Sequence, residues 1–170
     1  MNIPLHPVKR AIKASNRYCG PAILSILTGL DTTETARLLR HVGGRTRIRG
    51  TYTHEVERAL SKLGYSMATS ACYASQAAHQ RPTLSQWSRA NRGRGQTTYI
   101  MSVGHHWAVV QGNRYACGII GTIVPIKSSP KWRARVKHVW AIRRLEDAPT
   151  SPAAVIPPHH RALRQIPPRL

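Results

Sequence analysis

Near the start of the chain stands the hexapeptide Asn16-Arg17-Tyr18-Cys19-Gly20-Pro21, followed directly by the apolar run Ala22-Ile23-Leu24-Ser25-Ile26-Leu27-Thr28-Gly29. Much later comes the strand-like segment Gly104-His105-His106-Trp107-Ala108-Val109-Val110. Because Pro is favoured in the first turn of a helix, the first stretch predicts a helix that begins at Cys19. A thiol that opens a helix and a histidine that opens a strand are typical of a cysteine nucleophile paired with a base.

The predicted position of Cys19 favours its thiolate, which is the form that attacks a carbonyl. A helix N-terminus carries roughly half a positive charge, which stabilises the anion. We expect Gly20 to leave room for a substrate carbonyl beside backbone donors, which would form an oxyanion hole. The alternative is a structural cysteine in a core helix, since most intracellular cysteines are packing residues.

The chain is strongly basic. It has 26 Lys and Arg against 6 Asp and Glu in 170 residues, which gives a formal net charge of +20. Such a charge favours polyanionic partners, whether nucleic acid, an anionic membrane surface or an acidic protein. One basic segment also contains an aromatic ring that could stack on a base, Lys131-Trp132-Arg133-Ala134-Arg135-Val136-Lys137. A solvated basic loop is the alternative interpretation.

Length and cysteine content favour one domain with reduced thiols. The three cysteines, Cys19, Cys72 and Cys117, cannot all pair and form no C-x-x-C motif. The sequence therefore predicts neither a disulfide framework nor a zinc site, and we expect no cofactor. No apolar run reaches the roughly 18 to 20 residues that a membrane span needs, and the N-terminus lacks the apolar region of a secretory signal. We expect synthesis in the cytoplasm.

Helix signals dominate the region before Tyr65. We predict helices over 19–27, 31–41 and 53–63. The second opens with a capping box, because Asp31 at the N-cap precedes Glu34 by three residues. The third is predicted to be capped by Thr53. Together the three helices are expected to form one lobe.

Beyond Tyr65 the pattern changes to short β-branched and aromatic runs separated by Gly, Asn and Pro. Strands are predicted over 65–73, 97–103, 106–111, 115–120 and 136–142, with a short helix over 84–90. Helices first and an antiparallel sheet second define an α+β class. The active site would lie where the helix that carries Cys19 meets the strand that begins at His106.

The two ends of the chain differ from its middle. Residues 1–14 are basic and contain prolines, so we interpret them as an N-terminal arm, with the folded domain over 15–146. The segment 147–170 holds half of the 12 prolines and predicts an extended tail that cannot bury a core. A free terminus of this kind is ordinarily disordered unless something holds it in place. We expect that contact with a larger assembly holds this tail.

The Cys19-Gly20-Pro21 box, the capped helix at Thr53 and the strand that His106 opens resemble the papain-like peptidases related to the bacteriocin-processing cysteine peptidase domain. The chain looks most like the small stand-alone versions encoded by bacteriophages. The resemblance covers roughly residues 14–144. It implies a papain-like fold, with an N-terminal helical lobe packed on a C-terminal antiparallel β-sheet. It also implies hydrolysis of a protein or peptide substrate in the host cytoplasm.

The resemblance implies roles for individual residues. Cys19 would be the nucleophile and His106 the general base. Asn16 would lend its side-chain amide to the oxyanion hole. Members of the family usually carry an Asp on the next strand, where it orients the imidazole, but the aligned position here is Cys117.

No carboxylate near Cys117 replaces that Asp, since no Asp or Glu occurs between Glu57 and Glu146. Asn113 is a candidate orienting residue, although an Asn in a turn is commonly structural. The other interpretation is that the site has no orienting residue, which reduces the rate without abolishing the chemistry.

Two further hypotheses remain open. The chain could be a structural or accessory protein of a phage particle that keeps the peptidase fold and uses its basic surface to bind nucleic acid or an acidic neighbour. Alternatively, His105, His106 and Cys117 could bind a metal ion. The second is disfavoured because adjacent histidines on a strand point to opposite faces.

Overall fold

A computed structural model of the chain describes residues 2–10, 19–48, 50–92 and 95–147. Within them lie four helices, Cys19–Thr28 (α1), Thr32–Gly43 (α2), Thr53–Lys62 (α3) and Leu84–Ala90 (α4). The strands are Tyr65–Cys72 (β1), Thr98–Val103 (β2), His106–Gln111 (β3), Arg114–Cys117 (β4), Ile123–Pro125 (β5) and Val136–Arg144 (β6). The Pro-rich tail predicted from the sequence lies outside the described residues from position 148 onward.

Helix α1 is apolar on all sides. Residues 20–27 are all buried, so the helix is central rather than amphipathic. It packs against α2 and α3 on one side and against β3 and β4 on the other. Its first residue, Cys19, therefore occupies the point where the helical lobe meets the sheet.

The helix starts follow the expected capping chemistry, with one correction. At α2, Oδ1 of Asp31 accepts the backbone N–H groups of Thr33 and Glu34, and the Glu34 carboxylate accepts that of Asp31. At α3 the prediction is wrong by one residue, because Thr53 is already helical and Tyr52 is the N-cap. The backbone N–H of Tyr52 is satisfied by the carboxylate three residues later.

The six strands form one antiparallel sheet in the order β1-β6-β2-β3-β4-β5. The predicted α+β class, helices first and antiparallel sheet second, is confirmed. Strand β4 is shorter than predicted because the chain turns out of the sheet after Cys117. Strand β5 is absent from the prediction, since three residues that end in Pro give almost no periodic signal.

Both faces of the sheet are covered. On one face, the side chains of α1 pack with Val109 and Ala116 of β3 and β4. On the opposite face, Leu84 and Trp87 of α4 pack with Ala108 and its neighbours. Because strand side chains alternate between faces, successive residues of β3 belong to different cores. Within the described ranges, no helix is long and apolar enough to cross a membrane.

The segment 2–10 is extended and lies along the core. Two of its side chains are buried, those of Ile3 and Leu5. Its carbonyl groups are also engaged, because Nε2 of Gln111 donates to the Ile3 oxygen at 2.8 Å. At its end, Nη2 of Arg10 donates to the carbonyl oxygen of Gly118 at 2.7 Å. The described part of the predicted arm is therefore fixed to the domain.

Gly118 allows α1 to approach the end of β4. A Cβ atom at this position would lie 2.8 Å from Cβ of Ala22 and 4.0 Å from Cα of Cys19. The first distance is shorter than real contacts between Cβ atoms. Gly118 is buried, so neither element can move aside into solvent.

We predict that Gly118→Ala lowers the free energy of unfolding by about 1 to 3 kcal/mol, because the new methyl group overpacks this contact. Urea unfolding followed by circular dichroism measures the change. Gly50→Ala is the matched control, since a Cβ at Gly50 has nothing within 4 Å. Equal stability of the two variants would contradict the close approach of α1 to β4.

Candidate active site

Cys19 is half-buried at the first position of α1. Its thiol interacts with the backbone N–H of Trp107 in β3, and also with the N–H groups of Cys19 itself and Gly20. Trp107 directly follows His106, so the sulfur lies beside the peptide unit that joins these two residues. The thiol thus lies beside the backbone of the strand residue that the sequence singles out, whereas the His106 side chain belongs with Ala108 to the sheet face opposite α1. Asn16 lies outside the described residues.

The electrostatic environment of Cys19 differs from the prediction. Burial raises the pKa of the thiol above its ordinary value, and the N–H groups of Trp107, Cys19 and Gly20 act in the opposite sense with a smaller effect. A helix N-terminus stabilises an anion by about 0.3 to 1 kcal/mol at an exposed site, which does not offset the lost hydration here. The free protein therefore carries a protonated thiol at neutral pH.

His106 is also held in its neutral form. Burial, and secondly the charge of Lys131, lower the pKa of the imidazole to about 4. Nζ of Lys131 donates to the carbonyl oxygen of Gly104 at 3.3 Å, which fixes the cation on the turn before His106. Thiol and imidazole are therefore a neutral pair, and no hydrogen bond joins them within the described structure.

The imidazole has no acidic partner. Nε2 of His106 is buried and has no hydrogen-bond partner among the described residues. No carboxylate among the described side chains contributes to the pKa shift of His106.

The structure also locates Asn113, the candidate for this role, and Cys117, which stands at the position of the family's Asp. Asn113 lies in the turn between β3 and β4, beyond Gln111, and is exposed. Strand β3 rises by about 3.3 Å per residue, so about 16 Å separates its two ends, and Asn113 cannot reach His106. The suggested orienting role of Asn113 is therefore corrected. Cys117 is fully buried opposite Ala108, on the sheet face to which His106 belongs, and forms no hydrogen bond to the imidazole.

The two histidines do not lie on one strand, which was the premise of the argument against a shared metal ion. His105 is an exposed turn residue with a φ of 58°, and only His106 belongs to β3. In the part of the chain that the structure describes, no three His, Cys, Asp or Glu residues are grouped so that they could hold a metal ion.

The space over Gly20 is occupied by Thr51, not open to substrate. A Cβ atom at Gly20 would lie 2.2 Å from Oγ1 of Thr51. The loop that carries Thr51 is fixed by the buried carboxylate of Glu55, which pairs with the Arg45 guanidinium and accepts the N–H of Tyr52. Sequence reasoning missed Thr51, because only the fold brings this loop over the start of α1.

A row of stacked rings extends from Trp107 across the helical face of the sheet. Trp107 and Trp140 stack with centroids 5.1 Å apart, and His138 stacks on Trp140 at 5.2 Å. At the end of the row, Sγ of the exposed Cys72 lies 3.3 Å from Nδ1 of His138. This second thiol–imidazole contact arises from the β1–β6 register, so the sequence did not reveal it.

No protein-family model and no curated protein matches the chain. Among solved structures, the chain is similar to a double glycine motif protease from an AMS/PCAT transporter, crystallised in complex with the leader peptide. The two share 12% sequence identity with a TM-score of 0.50, over 84% of this chain and 94% of that chain. The similarity is one of fold: the chain has an α+β, papain-like fold.

We predict that part of the pH dependence of stability comes from His106. Because the folded pKa of about 4 lies below the ordinary 6.5, the unfolded chain binds a proton between these values that the folded chain excludes. Stability contributed by the neutral imidazole is complete above pH 6.5 and is lost as the pH falls towards 4. Allowing for the partial exposure of the ring, the loss between pH 7 and pH 5 is on the order of 1 kcal/mol.

Urea unfolding at pH 7 and pH 5 measures this loss. His106→Gln should reduce the difference between the two pH values, whereas His54→Gln, at an exposed position of α3, should leave it unchanged. A His106→Gln variant with the full wild-type pH dependence would show that the imidazole is not held neutral.

Proposed function

We propose that the chain is a cysteine peptidase in which Cys19 and His106 hydrolyse a peptide amide. The observation that carries this proposal is the contact of the Cys19 thiol with the Trp107 N–H, directly beside His106. A nucleophile on a helix N-terminus next to a base on a strand is the arrangement that covalent catalysis requires. The fold, similar to that of a double glycine motif protease, supports the same conclusion.

The chemistry starts from a neutral pair. As Sγ of Cys19 attacks the carbonyl carbon, His106 accepts the thiol proton and the carbonyl electrons move to the oxygen. The backbone N–H of Cys19 and, in this proposal, the side chain of Asn16 stabilise the oxyanion. His106 then protonates the amine as the C–N bond breaks, which leaves a thioester. Water, deprotonated by His106, hydrolyses the thioester and restores the thiol.

The same electrostatics imply slow turnover. An imidazole with a pKa near 4 is a weak base, and its protonated form is destabilised by the nearby Lys131. Altering the orienting residue of a serine enzyme reduces the rate by about 10⁴-fold. A cysteine enzyme tolerates the loss better, because a thiol is intrinsically more nucleophilic than a hydroxyl.

The substrate class that we propose is a peptide. The related protease was crystallised with the leader peptide, so a leader peptide that ends in a double glycine motif is the first substrate to test. Trp107, which is half-buried and adjoins Cys19, would contact such a chain, and Trp140 supports its ring from within the core.

A second candidate function is favoured by the unpartnered Nε2 of His106 and by the cation beside it. In this alternative the chain is a phage-encoded structural or accessory protein, with the peptidase fold retained and the chemistry lost. Its net charge of +20 would then serve contact with nucleic acid or an acidic protein.

Thiol labelling separates the two candidates, provided that Cys72 is removed first. Cys72 is exposed and contacts His138, so in the wild-type chain it competes for any electrophile. In a Cys72→Ser background, we predict that iodoacetamide modifies Cys19, and that His106→Gln slows this modification by about tenfold or more, because the base is lost. His138→Gln is the matched control and should leave the rate unchanged. Peptide mass spectrometry measures the rates.

The corresponding cleavage assay uses the leader peptide. Cys19→Ala and His106→Gln should each abolish product, while Cys72→Ser retains the wild-type rate. If Cys19 reacts at the same rate with and without the imidazole, and no peptide is cleaved, the peptidase proposal fails and the second candidate is preferred.

A further inference from the structure

A cavity of about 510 Å³ opens on the sheet face opposite α1, between α4 and the segment that follows β5. Tyr99 of β2 and Val110 of β3 contribute to its floor, and Trp87 and Trp132 contribute to its walls. The rings of Trp87 and Tyr99 meet edge to face with centroids 5.2 Å apart. Three aromatic side chains from separate segments therefore line one cavity of a size typical of small-molecule sites, roughly 300 to 1,000 Å³.

The rim of the cavity is positively charged. Arg89, Arg92 and Lys127 line it, and no carboxylate among the described residues does. Arg92 and Lys127 are exposed and have no hydrogen-bond or ion-pair partner among the described residues. Arg89 makes only long contacts of 3.4 Å, to Ser85 of its own helix. The cations are thus available to an anion.

Two side-chain amides complete the lining. Nδ2 of Asn91 donates to the carbonyl oxygen of Trp87 at 2.8 Å, which fixes the amide and leaves its oxygen as an acceptor. The side chain of Asn113 is exposed and forms no hydrogen bond within the described ranges. Amides of this kind can donate to and accept from the edge of a nucleobase. An acidic peptide would need the cations but not the aromatic walls or the amides.

We propose that this cavity binds a nucleobase that carries phosphate, supplied either as a free nucleotide or as part of a single strand. The base would pack against the half-buried Trp132, above a floor formed by the buried Tyr99 and Val110, and Arg92 and Lys127 would contact the phosphate. The site shares no residue with Cys19 or His106, so this inference is independent of the proposed peptidase activity.

Fluorescence anisotropy of the full chain tests the proposal. The probe is a fluorescently labelled 12-nucleotide single strand, with adenosine monophosphate, adenosine, inorganic phosphate and hexaglutamate as competitors. Arg92→Gln/Lys127→Gln should weaken binding of the strand by roughly tenfold or more and reduce the log–log salt slope by about 1.4, because each of the two cations neutralises one phosphate of a single strand. Lys62→Gln/Arg143→Gln is the control, with the same change in net charge at exposed positions away from the cavity.

Each outcome decides the proposal or the source of the ligand. If adenosine monophosphate competes and only Arg92→Gln/Lys127→Gln loses affinity, a free nucleotide is supported as the ligand. The same loss without competition by the mononucleotide supports a single strand. The proposal would be overturned if both double variants lost the same affinity for the strand. It would also be overturned if inorganic phosphate or hexaglutamate competed as well as adenosine monophosphate, or if the strand did not bind. Thermal melting verifies that both double variants are folded.

Discussion

The docking of the α1 N-terminus on the end of β4 is the constraint on which the site depends. Two glycines permit it: Gly118 accepts Ala22 of the helix, and Gly20 accepts the side chain of Thr51 from the neighbouring loop. Because neither position has space for a Cβ atom, the helix start is fixed from both sides. Only in this position does the thiol of Cys19 meet the N–H of Trp107. The burial of α1, the position of the loop that carries Thr51 and the placement of the Cys19 thiol therefore all depend on the same packing.

Close packing also determines the charge state of the site. Fixing the helix start removes water from Cys19, which raises the pKa of its thiol, and the same burial lowers the pKa of His106 to about 4. Lys131 adds to the second effect from a position where a carboxylate would act in the opposite sense. The result is a neutral thiol and a neutral imidazole rather than a preformed ion pair.

Local signals predicted much of the fold. The capping box at Asp31, the Gly-bounded helices and the short β-branched strands each have a local physical cause, so their positions could be predicted from the sequence. The residues that fill space around the site could not be predicted from the sequence, since Thr51 reaches Gly20 only through the packing of α3. The contact of Cys72 with His138 depends on strand register in the same way. The distance along β3 from His106 likewise excludes Asn113 as the residue that orients the imidazole. The position of Asn113 in the sequence alone could not show this.

The most direct test of the neutral pair is the ¹⁵N chemical shift of the His106 ring nitrogens in the free protein, followed from pH 3.5 to pH 8. We expect a neutral imidazole throughout the range above pH 5, with a protonation midpoint near 4. A midpoint at or above 7, lost on Cys19→Ser substitution, would show a thiolate–imidazolium pair and would contradict the neutral site described above.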